Sequence, residues 1–87
     1  MLFVSDTLYF TFSNRLAQST PNTPEREALT DIVNAMNDYM YQPGVAITNK
    51  LQAKKKSTAN CFAAGDLEAF EYGNAMCEVY RQFLAVC

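Results

Sequence analysis

Residues 66–87 carry apolar side chains around well over half of a helix's circumference, and no other segment limits the fold so tightly. Ala69, Tyr72, Met76, Val79, Tyr80, Phe83 and Cys87 recur at steps close to three and four, and Phe70, Cys77 and Leu84 form a second row at steps of seven. A helix lying on a protein surface needs one apolar stripe. Two adjacent rows require cover on both sides, either at the centre of a bundle or beneath a partner. Asp66 is placed to cap this helix. Gly73 lies inside it, where glycine costs about 1 kcal/mol relative to alanine. A glycine retained there, beside Tyr72 and Met76, points to close approach of another helix backbone.

A second helix is expected over 24–41. Thr23 can accept the unpaired amide bonds of its first turn, and Pro24 suits the first helical position. Glu25 and Glu27 then meet the positive end of the helix dipole. Leu29, Ile32, Val33, Met36 and Met40 share one face, leaving Asp31, Asn34 and Asp38 on the wet side. Gln42-Pro43-Gly44 ends the helix, because proline disfavours helical backbone at the residue before it.

Residues 45–64 read as a weaker helix, with Ile47, Leu51, Thr58 and Phe62 approximating one face. Ser57-Thr58-Ala59-Asn60 is a candidate break, since serine and asparagine compete for backbone hydrogen bonds. Gly65 suits a C-terminal cap. The N-terminal segment supports two readings. Leu8, Phe12 and Leu16 fit one face of a helix over 6–18, whereas Tyr9-Phe10-Thr11-Phe12 has strand propensity. No second strand-like run exists for pairing within the chain, so the helix is favoured. The fold expected is mostly α: a single domain over 1–87, a small bundle of three or four helices. Residues 24–41 and 66–86 are its expected core pair.

The function classes narrow by what the chain lacks. It has no histidine, the side chain best suited to proton transfer near neutrality and the commonest metal ligand. The three cysteines, Cys61, Cys77 and Cys87, are odd in number and show no CxxC spacing, which argues against a disulfide framework or a structural metal site. Glu68, Glu71 and Glu78 have helical spacing but no matching acids on a second helix to form a metal cage. No catalytic set, metal or cofactor is expected. No apolar run approaches the roughly 20 residues of a membrane helix, and no signal peptide pattern opens the chain. A reducing, cytoplasmic setting is the expectation.

Two surfaces stand out as candidates for binding. Lys50, Lys54, Lys55 and Lys56 fall in a stretch, 42–65, that contains no acid, between two acidic helices; the net charge of the chain is −2. Such a cluster can neutralise phosphates, and Ser57, Thr58 and Asn60 could add hydrogen bonds. Against this, the patch has no arginine or aromatic residue of the kind usual in nucleic-acid sites. Met36, Tyr39, Met40 and Tyr41, with Tyr72, Met76, Tyr80 and Phe83, form the second set. Tyrosine, phenylalanine and methionine are adaptable contact residues, and only 18% of the chain is charged against about 25% in ordinary domains. A homodimer would cover the excess apolar surface. The leading expectation is a non-enzymatic protein-interaction module, a stoichiometric binder, inhibitor or adaptor of the kind viruses and mobile elements encode. The alternative is a nucleotide- or nucleic-acid-binding protein that uses the four lysines.

Overall fold

The computed structural model describes residues 6–38 and 42–86. They form four helices, α1 (Asp6–Gln18), α2 (Pro24–Asp38), α3 (Pro43–Ala63) and α4 (Leu67–Val86). There is no strand among the described residues, so the N-terminal segment is helical: Phe12 is buried while Leu8 and Leu16 pack half-buried beside the core.

The helix ends follow from local chemistry. Thr23 Oγ1 accepts the backbone N–H of Arg26 at 3.2 Å, an N-cap that satisfies one of the orphan donors of α2. Asp66 Oδ1 does the same for Ala69 at 3.1 Å, starting α4. Between α3 and α4, Gly65 takes φ +80°. Its N–H donates to Phe62 O, and the Asp66 N–H donates to Cys61 O. These paired bonds are the Schellman arrangement, which closes a helix through a left-handed residue that glycine adopts without a Cβ clash. Asn22, at φ +63°, provides a similar reversal in the α1–α2 loop.

Helix α3 departs from expectation in three ways. It starts at Pro43 rather than Val45, since proline's missing N–H is no loss in a first helical turn. It runs unbroken through Ser57–Asn60. Packing overrides weak propensity here, because Thr58 is buried against α4. Finally, Phe62 does not join Ile47, Leu51 and Thr58 in the interior. It is 59% exposed, because the last turn of α3 extends beyond the side chains that form the core.

Most of the core comes from α2 and α4: Ala28, Leu29, Ile32, Val33, Ala35 and Met36 from the first, Met76, Cys77, Val79, Tyr80 and Phe83 from the second. α3 packs along α4 as an antiparallel partner, with Thr58 opposite Gly73 and Phe62 opposite Phe70. A Cβ added at Gly73 would lie 2.1 Å from Thr58 Oγ1, so the glycine does mark close helix–helix approach. α2 and α4 run in the same direction, since Glu27 meets Tyr72 and Asp31 meets Tyr80 in ascending order along both. Among the described residues, both rows of α4 are covered or half-covered within one chain, placing α4 at the bundle centre.

Candidate functional site

Two shallow hollows open beside α3. One hollow of about 430 Å³ is lined by residues of α3 and α4 including Lys54, Ser57, Cys61, Tyr72 and Gly73, with Asp66 and Glu68 at its rim. A second, of about 310 Å³, is bordered by Glu27 and Asp31 of α2, Lys50, Ala53, Lys54 and Ser57 of α3, and Met76 and Tyr80 of α4. Lys54 and Ser57 border both, so the hollows adjoin along α3 as the two halves of a trough.

Two phenol–carboxylate bonds fix the α2 wall to the floor. Tyr72 Oη donates to Glu27 Oε2 at 2.5 Å, and Tyr80 Oη donates to Asp31 Oδ2 at 2.5 Å. The carboxylate partner holds the Tyr72 hydroxyl above the usual phenol range, with burial adding to the effect. For Tyr80, burial comes first and the bond to Asp31 second, and its phenol is pushed up strongly. Both hydroxyls therefore remain donors at any ordinary pH. Asp31, expected on the wet face of α2, is instead half-buried and bonded across the bundle.

The lysines divide. Lys50 and Lys54 line the trough, whereas Lys55 and Lys56 are exposed outside it. None of the four is ion-paired among the described residues, where the ion pairs are Arg15–Glu25 and Arg81–Glu78. Inside the trough two lysines face four carboxylates, Glu27, Asp31, Asp66 and Glu68, a net formal charge of −2.

Beside the trough is an apolar tip. Phe62 and Phe70 pack across the α3–α4 turn with ring centroids 4.9 Å apart and ring planes tilted by 51°. Leu67, 58% exposed, precedes Phe70 by three residues and so shares its helix face.

Several sequence-derived candidates belong to the interior. Met36, Met76, Tyr80 and Phe83 are each no more than 2% exposed. They pack in the chain's own core, which removes them from any partner surface in this conformation. Tyr72 is half-buried on the trough. Tyr39, Met40 and Tyr41 lie outside the described residues, as does Cys87. Cys77 is buried, and desolvation pushes its thiol up despite the offset from Arg81, Lys54 and Lys55, the opposite of what an activated nucleophile needs. Among the described residues no group of three or more His, Cys, Asp or Glu could hold a metal ion, and no helix is long and apolar enough to cross a membrane.

Sequence reasoning missed the tip and the acidic wall. Phe62 and Phe70 both lie within five residues of Gly65, so an antiparallel turn at that glycine would set them side by side; that was the available signal. Glu27 and Asp31 carried none, because their contacts depend on the register of α2 against α4. No protein-family model matches the chain, and no curated protein or solved structure matches it.

Proposed function

We propose that this protein is a non-enzymatic interaction module that binds another protein stoichiometrically through the open face formed by the trough and the adjoining tip. The observation that carries this reading is the group of Phe62, Leu67 and Phe70: two large apolar side chains more than half exposed, and a third packed against the ring of Phe62. Isolated exposed apolar residues are normal on a small protein, whereas a contiguous patch rimmed by polar groups favours a partner's surface. Lys54, Ser57, Asp66 and Glu68 supply that rim. A packed aromatic pair also loses little conformational freedom on binding, which suits it to be an anchor.

The test compares the full chain with a Phe62→Ser/Leu67→Ser double variant, each immobilised and exposed to the same cell extract. Circular dichroism first checks that both are equally helical. Proteins retained by the parent and lost from the variant are the expected outcome. Equal retention by both would remove the tip as the binding surface.

A further inference from the structure

We propose that the outer face of the α3–α4 hairpin, turned away from α2, is the interface on which a second copy of the chain docks. This rests on the reading of the tip as a protein-binding surface and names one occupant of it. On α3, Val45, Thr48, Gln52, Lys55, Ala59 and Phe62 follow at steps of three and four and are all exposed, so they form one stripe. Lys50, Lys54 and Ser57, which border the hollow beside α2, lie on the other side of the buried row of Ile47, Leu51 and Thr58. On α4, Leu67, Glu71, Asn74, Glu78 and Arg81 make a second exposed stripe. The two stripes lie side by side. Phe62 packs on Phe70 at one end, and Leu84 borders a hollow with Val45 and Thr48 at the other. Val45, Phe62 and Leu67 are each more than half exposed, so large apolar side chains stand at both ends of this face.

The distribution of charge makes the face complementary to itself. The α3 stripe carries one cation, Lys55, and no acid; the α4 stripe carries Glu71, Glu78 and Arg81, so the face as a whole is neutral. A two-fold axis can bring it onto a second copy in two ways. An axis across the helices lays α3 on α3 and sets Lys55, near the middle of that helix, against Lys55 of the second copy. An axis along the helices lays α3 on α4. Thr58 is opposite Gly73 and Phe62 opposite Phe70, so Lys55 is level with the turn that holds Glu78. This second arrangement sets Lys55 against Glu78 of the second copy and Phe62 against its Leu67, each contact made twice. Opposite signs meet, and register is fixed by them.

The area sets the strength. The face is as long as the 21-residue α3, about 30 Å, and two helices wide, about 20 Å. Closing it removes on the order of 1,200 Å² from water, the lower end for a specific interface. The dimer is therefore a reversible one that dilution separates.

The experiment is sedimentation velocity on the full chain from about 5 µM to about 1 mM. The mean mass should rise from the 9.8 kDa of one chain toward twice that value. Phe62→Ser should weaken association about tenfold or more. Lys55→Glu should weaken it about fivefold or more, and adding Glu78→Lys should bring it back to within about twofold of the parent. Circular dichroism checks that each variant is as helical as the parent. A mass fixed at one chain throughout, association unaltered by Phe62→Ser or by Lys55→Glu, or a Lys55→Glu defect that Glu78→Lys does not reverse would each overturn the proposal. In the first case, tip-dependent capture from extract would leave the interaction module standing without the dimer. A dimer with these variant effects and no capture from extract would keep this interface and reject the separate partner.

Discussion

Helices α1 and α4 have comparable aromatic content but contribute very differently to the structure. α4 buries Met76, Cys77, Val79, Tyr80 and Phe83 among its neighbours. α1 buries Phe12 alone, and Tyr9 and Phe10 on its outer side are 37% and 66% exposed. The two helices meet where Phe12 stands edge-on to Phe83, ring centroids 5.2 Å apart. Otherwise α1 is held by Leu8 and Leu16, half-buried beside the core, and by polar contacts at one end. Arg26 donates to Leu16 O and Ser19 O, and Arg15 pairs with Glu25 at 3.0 Å while lying over the Phe12 ring. A cationic side chain at the carbonyl end of a helix is favourable, but exposed contacts of this kind contribute little each. The same residue types give a central strut in one place and a peripheral one in another, and the difference is how many elements surround each helix.

The largest test of this contrast is a pair of truncations. Phe83→Ala should destabilise the whole bundle by about 3–5 kcal/mol, measured as a lower denaturant midpoint. Phe12→Ala should instead release α1 selectively: hydrogen exchange would show lost protection over 6–18 and retained protection in α2–α4. Concerted loss throughout would show that α1 is as integral as α4.

Next in size is the link between α4 and α2. Tyr80→Phe removes a hydrogen bond to a charged, half-buried carboxylate and should lower stability by about 1.5–3 kcal/mol. Tyr72→Phe, at an exposed bond, should have a much smaller effect. If the two variants are equal, burial is not what distinguishes these positions. The pH dependence follows from the raised Tyr80 phenol. Its contribution is fully present below the unfolded phenol value near 10 and is lost as pH rises through the higher folded value. Alkaline titration of unfolding should therefore show stability declining above about pH 10, with a shallower decline in Tyr80→Phe.

Gly73→Ala is the smallest effect and the one whose sign is least obvious. Alanine gains about 1 kcal/mol of helix propensity, whereas overpacking in an interior costs about 1–3 kcal/mol. Thr58 is β-branched, with a stiff first torsion, and cannot swing away easily. The clash with Thr58 Oγ1 should win, giving net destabilisation of up to about 2 kcal/mol. Adding Thr58→Ala should recover part of it; a stabilised Gly73→Ala protein would mean that α3 can retreat from α4 at little cost.

Much of the helical architecture was legible in the residues. The caps at Thr23 and Asp66 depend on side chains three residues from the amides they serve, and the closure at Gly65 on a backbone conformation that glycine favours, so each could be read locally. The apolar spacing of Leu29, Ile32, Val33 and Met36 likewise named its own buried face. The candidate site was much less legible. Met36, Met76, Tyr80 and Phe83 were expected at a partner surface, but apolar spacing states only that a side chain needs cover. It does not say whether the cover comes from the same chain. Phe62 illustrates the reverse error: its spacing from Thr58 placed it inside, and only the position of α3 past the core's edge exposes it.

What the amino-acid order determined unaided was the starts of α2 and α4, the turn at Gly65 and the need of residues 66–86 for cover on two sides, because these arise from interactions a few residues long. What the tertiary structure alone decided was who provides that cover and what the uncovered surface looks like. The register between α2 and α4 brings Glu27 to Tyr72 and Asp31 to Tyr80 across more than forty residues. The packing of α2, α3 and α4 then brings two lysines and four carboxylates to the borders of the two adjoining hollows. Charges so far apart along the chain acquire a common field only once packing sets the distances between them.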